Sequence, residues 1–229
     1  MVTTLYLIRH GETEGSETKR YKGSIDVPLS ENGIRQVELA AAFVADQVKS
    51  SQRSRQLSYL RDIHRASSDS AGEAEGLKAV YTSDLSRAVK SGEIIAAPHR
   101  IGTVSLPELR ERNFGIWEGM SFAEIRDQYP EEFNAWADNP MQYSPIGGES
   151  TLDMSKRVIA ALEGVLSANA GQVVAIVAHG GVNRIILCHV LGMPLEHIFR
   201  IEQDNAAINI IEFWDKYPVV KLLNGISHG

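Results

Sequence analysis

Four short stretches carry residue types suited to chemistry on an anion. Arg9-His10-Gly11-Glu12-Thr13 follows the apolar run Leu5-Tyr6-Leu7-Ile8. A glycine after the histidine lets the chain turn sharply and leaves the imidazole accessible. The neighbouring arginine supplies a permanent, planar charge that suits phosphate oxygens. Thr82-Ser83-Asp84-Leu85-Ser86-Arg87-Ala88 puts Arg87 in the first turn of a predicted helix, where free backbone amides already attract anions. In residues 109–119, Glu111 lies between Arg110 and Arg112 and beside aromatic residues, which sets a carboxyl group in partly desolvated surroundings. His179-Gly180-Gly181 closes a second apolar run, Val173–Ala178, with Asn183 and Arg184 just beyond. Taken singly, a histidine at a strand end or an arginine on a helix more often has a structural explanation. Their joint occurrence in this order does not.

The elements that must position these residues alternate between strand and helix signals. Leu5 to Ile8 and Ala79 to Thr82 read as strands. Val173–Ala178 is apolar throughout and bounded by glycines, the pattern of a parallel strand buried on both faces. Ile34, Val37, Ala41, Val44 and Val48 follow helical spacing behind Ser30 as N-cap. A second helix is predicted from Ser83 or Asp84, with Leu85, Ala88 and Ile95 inward. Thr151–Ala168 is a third, with Val158, Ala161, Leu162 and Val165 inward. Val182, Ile185, Ile186 and Leu191 give a fourth helical face, closed by Gly192 and Pro194. Residues 207–214 and 219–223 read as a terminal hairpin. The expected fold is therefore α/β, a three-layer α/β/α sandwich around a mostly parallel central sheet. Ligands sit beyond the carboxyl ends of strands in such sheets, where His10 and His179 both fall.

With 229 residues, the chain suits one domain, 1–229, and a tolerated surface insertion is expected at about 50–78. Residues 55–66 could form a thin helix within it and 67–76 a solvated loop. A net charge of −6 and a pI near 5.7 argue against a nucleic-acid partner, so an anionic ligand needs a local basic pocket. The single cysteine, Cys188, excludes an internal disulfide and a cysteine-based zinc site. No apolar stretch approaches the ~18 residues of a membrane span, and the first residues lack the features of a signal peptide. The expected location is the cytoplasm, and a homodimer stays open.

The constellation resembles the histidine phosphatase superfamily, which includes cofactor-dependent phosphoglycerate mutases and many phosphomonoesterases. Arg9 to Thr13, Gly23 to Gly33, Thr82 to Ala88, Leu109 to Gly119, Gly147 to Ser150 and Ala178 to Gly181 carry the resemblance. It implies a phosphoglycerate mutase-like fold and His10 as a nucleophile that becomes phosphorylated. It also implies Arg9, Arg87 and His179 as ligands of the phosphoryl group, with Glu111 as proton donor and no metal or other cofactor. His179 is expected to be protonated beside a phosphate dianion. Where the family usually carries an asparagine, this sequence has Ser16, whose shorter hydroxyl still donates one bond. Lys22, Gly23 and their basic neighbours Lys19 and Arg20 are further candidates for substrate contact.

Among family members the pattern is similar to α-ribazole phosphatases and broad-specificity sugar-phosphate phosphatases. Residues 121–144 are short and acidic, with Glu124, Asp127, Glu131, Glu132 and Asp138 against Arg126 alone. An acidic cap repels a bisphosphorylated acid, which favours hydrolysis over the mutase alternative. Tyr21, Phe122, Trp136 and Tyr143 read as cap packing or as walls for a ring-bearing alcohol. A catalytically idle phosphate- or protein-binding relative is the reading from another class, and the full set His10, Glu111 and His179 argues against it.

Overall fold

A computed structural model describes residues 1–18, 20–51 and 76–227. Among these, six strands form one sheet. They are β1 (Thr3–Arg9), β2 (Leu77–Thr82), β3 (Thr103–Ser105), β4 (Val173–Ala178), β5 (Ile208–Phe213) and β6 (Pro218–Gly225), in the order β3-β2-β4-β1-β5-β6. The β3, β2, β4 and β1 neighbours run parallel, and the β5–β6 hairpin adds antiparallel to β1. All six residues of β4 are buried, as expected of a central strand covered on both faces.

The alternation of side chains along the strands builds two cores. Leu5 and Leu7 of β1, with Val174 and Ile176 of β4, pack against α5 (Thr151–Ala168) and α6 (Gly180–Leu191). Tyr6, Ile8, Val173, Ala175 and Val177 face the other way, onto α1 (Glu31–Ser51) and α2 (Ser86–Ala96). Two short helices, α3 (Phe122–Gln128) and α4 (Pro130–Asp138), form a cap. The three-layer, mostly parallel architecture is the one the sequence pattern predicts.

Local differences have physical causes. Ser30 accepts from the Gly33 amide at 3.0 Å, as an N-cap should. Helix α2 starts at Ser86 rather than at Ser83 or Asp84, because its cap comes from elsewhere in the chain. Asp26 Oδ1 accepts from the Ser86 amide at 2.8 Å and from its hydroxyl at 2.7 Å. Leu191, expected on the inner face of α6, is 49% exposed at the last turn, before Gly192 ends the helix with φ of 63°. Residues 50 and 51 belong to α1, and 77 and 78 to β2. The body of the expected insertion, 52–75, lies outside the described residues, as does the basic neighbour Lys19.

Candidate active site

The parallel ladder between β1 and β4 pairs Arg9 with Ala178, so His10 and His179 each stand one residue beyond a matched pair. Their ring centroids lie 5.1 Å apart. His10 Nδ1 lies 2.7 Å from the carbonyl of Gly11. A carbonyl only accepts, so Nδ1 carries the proton and Nε2 keeps its lone pair. Burial, then the charges of Arg9 and Arg87, lower the His10 pKa to about 3. The imidazole is therefore neutral and its free nitrogen nucleophilic across the physiological range.

His179 is fully buried. Its Nε2 lies 2.7 Å from the Ser83 hydroxyl, while Nδ1 has no protein partner. Burial, then His10 and the arginines 87, 9 and 157, hold its pKa well below the usual imidazole value. The expectation of a protonated His179 thus meets an opposing balance within the protein itself, and a neutral ring can still donate from Nδ1.

Arg87 is 2% exposed and is clamped by a loop. Its guanidinium donates to the carbonyls of Ile25, Lys22 and Gly23 at 2.8–2.9 Å. That loop is pinned in turn by Glu118, whose carboxylate accepts from the Ser24 and Phe114 amides at 2.8 and 2.9 Å. Arg9 donates from Nη1 to the Gln203 carbonyl at 2.5 Å, and its buried Nε has no protein partner. Burial lowers the pKa of both arginines, yet a guanidinium remains charged in proteins.

Glu111 bridges two backbone amides, accepting from Arg112 and from Gly181 at 2.9 Å each. The Gly181 bond comes from the first turn of α6, whose dipole favours a carboxylate there. A Cβ on Gly181 would run into Glu111 Oε1, so glycine is needed for this approach. Arg157 secures the segment leading to Glu111 by donating to the carbonyls of Glu108 and Arg110 at 2.6 and 2.8 Å.

His10, His179, Arg9, Arg87 and Glu111 line the floor of one cavity of about 550 Å³. Ser16 and Lys22 also border it. The Ser16 hydroxyl gives its proton to the Thr13 carbonyl at 2.6 Å, and the Lys22 ammonium is turned to the Glu14 carbonyl. Gly23 contributes the carbonyl that holds Arg87. The structure thus gives all three a partner within the protein.

The family model of the histidine phosphatase superfamily (branch 1) matches residues 5–69 and 60–225. The chain belongs to this superfamily. Phosphoserine phosphatase 1 of Hydrogenobacter thermophilus is 29% identical over 98% of this chain and 93% of its own length. The adenosylcobalamin/α-ribazole phosphatase of Escherichia coli is 25% identical over 98% and 97%. The solved structure of Bacillus stearothermophilus YhfR matches with a TM-score of 0.78 at 28% identity, covering 99% and 98% of the two chains.

In this histidine phosphatase one acidic residue of the cap is engaged by a neighbouring cation. Glu124 forms a two-pronged ion pair with Arg20 at 2.7 and 2.8 Å. The cavity beneath is lined by Phe122, Phe133 and Trp136 rather than by carboxylates of the cap. Of the four aromatic candidates, Tyr21, Phe122 and Trp136 line the cavity, while Tyr143 stacks on Trp117 at 5.5 Å. Sequence reasoning missed Ser83, Glu118 and Arg157. Only Glu118 had a local signal, its place beside Trp117 and Gly119.

Proposed function

We propose that this histidine phosphatase hydrolyses small-molecule phosphomonoesters through a phosphohistidine at His10. The observation that carries the reading is the Nδ1 contact to the Gly11 carbonyl, which leaves Nε2 unprotonated. Nε2 attacks phosphorus, the bond from phosphorus to the ester oxygen breaks, and Glu111 delivers a proton to the departing alkoxide. A water then attacks the phosphohistidine, returns a proton to Glu111 and releases inorganic phosphate. Arg9, Arg87 and Nδ1–H of His179 face the equatorial oxygens, where charge must be met by fixed donors. Among the described residues no three His, Cys, Asp or Glu side chains cluster to hold a metal ion.

Two relatives bear the names of phosphatases that act on small esters, which supports this reading. The alternative of a phosphoglycerate mutase needs a second anion site, and the outer cations of this cavity are already bound to protein oxygens. No helix among the described residues is long and apolar enough to cross a membrane, and we place the enzyme in the cytoplasm.

The test is phosphate release from a panel of esters in the presence of chelator, with wild type beside His10→Ala. Turnover that survives chelation and disappears in the variant is expected. Quenching wild type in alkaline detergent should trap a phosphoryl group on the protein that is stable to base and lost in acid. Turnover retained by His10→Ala would overturn the mechanism.

A further inference from the structure

Aromatic rings form much of the cavity lining beyond the histidines. Phe122, Phe133 and Trp136 contact one another with centroids 5.0–6.0 Å apart, and Trp117 meets Trp136 edge-on at 6.5 Å. Tyr21 and Phe114 form a second pair, 4.6 Å apart. Phe122 and Phe199 line the cavity while remaining 48% and 73% exposed. A single exposed aromatic residue is ordinary; two at the rim of a ring-lined cavity form apolar surface suited to a ligand.

The cations of the same region are committed. Arg20 is held by Glu124 and the Gly119 carbonyl. Arg112 donates to Glu149 O at 2.9 Å, Tyr143 O at 3.0 Å and Thr151 Oγ1 at 3.2 Å. Arg184 donates to the Ile201 carbonyl at 2.7 Å and to Glu202 at 3.4 Å, and Lys22 to the Glu14 carbonyl. Asp204 adds a negative charge to the lining. A carboxylate on the leaving group therefore competes with existing partners, and a polyhydroxylated sugar leaves hydroxyls against apolar walls. A cavity near 550 Å³ also exceeds the needs of a three-carbon ester.

We propose that the site selects phosphomonoesters whose leaving alcohol carries an uncharged aromatic ring, seated against Phe122, Trp136 and Phe199. The inference rests on the phosphomonoesterase reading and narrows its substrate class. Phosphorus sits on the histidine floor while the ring occupies the cap, and ring stacking adds to binding without demanding a particular hydrogen-bond pattern.

The test compares kcat/KM for 2-phenylethyl phosphate, n-propyl phosphate, glucose 6-phosphate and O-phosphoserine. The first two are unactivated primary alkyl esters, so a difference reports mainly the ring. A preference of about tenfold or more for 2-phenylethyl phosphate over each of the others is expected. Phe199→Ala, a truncation at an exposed position, and Trp136→Ala should each reduce that preference severalfold. Equal values for the two alkyl esters within threefold, or phosphoserine or glucose 6-phosphate as the best substrate, would overturn the inference and leave the phosphatase reading standing. Hydrolysis of none of them would overturn the phosphatase reading instead. Binding then decides the ring preference: fluorescence of Trp117 and Trp136 in His10→Ala should show tighter binding of the phenylethyl than of the propyl ester. Equal binding would remove the ring preference as well.

Discussion

The Ser83 hydroxyl and Nε2 of His179 face each other at 2.7 Å, both side chains wholly shielded from water. Ser83 Oγ also accepts from the Leu85 amide at 3.4 Å. Its hydroxyl therefore donates to His179 Nε2, since a buried hydroxyl proton without an acceptor is costly. His179 then carries its own proton on Nδ1, the atom left without a protein partner. A serine at the end of β2 thus sets which nitrogen of a histidine at the end of β4 keeps a proton to donate, the nitrogen that the proposed mechanism turns to the phosphoryl group.

Ser83→Ala should lower kcat/KM by up to about tenfold, the scale of one hydrogen bond at ~0.5–1.5 kcal/mol. The loss should fall on kcat more than on KM, because the donor works hardest as charge develops. Nitrogen NMR of the His179 ring gives an independent readout. Wild type should show a protonated Nδ1 and the variant a mixture of tautomers. A bare Nδ1 in wild type would refute the assignment.

Gly181→Ala should act on Glu111 alone among the reactive groups, since the added methyl meets its Oε1. Under the proposed mechanism, displacing Glu111 hurts esters with poor leaving groups most. An alkyl phosphate should lose tenfold or more in kcat, whereas a nitrophenyl phosphate, whose leaving group needs little protonation, should lose far less. Equal losses on both esters would separate Glu111 from leaving-group protonation.

Arg87→Lys is expected to behave as a severe change. A lysine offers no planar fork, so the carbonyls of Lys22, Gly23 and Ile25 lose donors and the phosphoryl oxygens lose one ligand. Removal of one such preorganised donor costs ~2.7–4 kcal/mol in transition-state stabilisation, or about two to three decades in rate. Urea unfolding should also register ~1–3 kcal/mol for the abandoned carbonyls. A variant within threefold of wild type in kcat/KM would exclude Arg87 from phosphoryl binding.

Acid should destabilise the fold through its buried histidines. His10 has its pKa lowered to about 3 in the native state, against ~6.5 in an unfolded chain. Above pH 6.5 neither state binds the proton. Below it the unfolded chain does and the native one does not, so stability falls steadily between about pH 6.5 and 3. One such histidine contributes ~1.4 kcal/mol per pH unit in that window, and His179 acts in the same direction. Thermal melting across this range should be less steeply pH-dependent in His10→Gln than in wild type. For turnover, the limb that belongs to His10 protonation lies near pH 3, well below the ordinary histidine range.

The sheet was legible because its signals are local. The short apolar run of β1 and the longer one of β4 announce buried strands, and the two histidines sit at visible strand ends. Arg9, Arg87 and Glu111 were legible as charges in a recognisable order. What escaped depends on contacts between distant residues. Helix α2 borrows its cap from Asp26, sixty residues earlier, so nothing at Asp84 could reveal the true start. Ser83 looks like any turn serine until β2 and β4 are neighbours. Gln203, Asn209 and Asn183, all fully buried, form an amide chain behind Arg9, with Gln203 Nε2 donating to Asn209 at 3.0 Å. Buried amides follow no hydrophobic period and leave no trace in a pattern.

The register of β1 on β4 has a thermal consequence. The distance between the two histidines is held by a parallel ladder in the middle of the sheet, the region that opens last when a domain loosens. The loop that grips Arg87 hangs on backbone carbonyls and one carboxylate at the rim. Heating should therefore loosen the grip on Arg87 first, while the histidine pair keeps its spacing until the sheet itself melts, and cooling should restore that grip from any state short of that point.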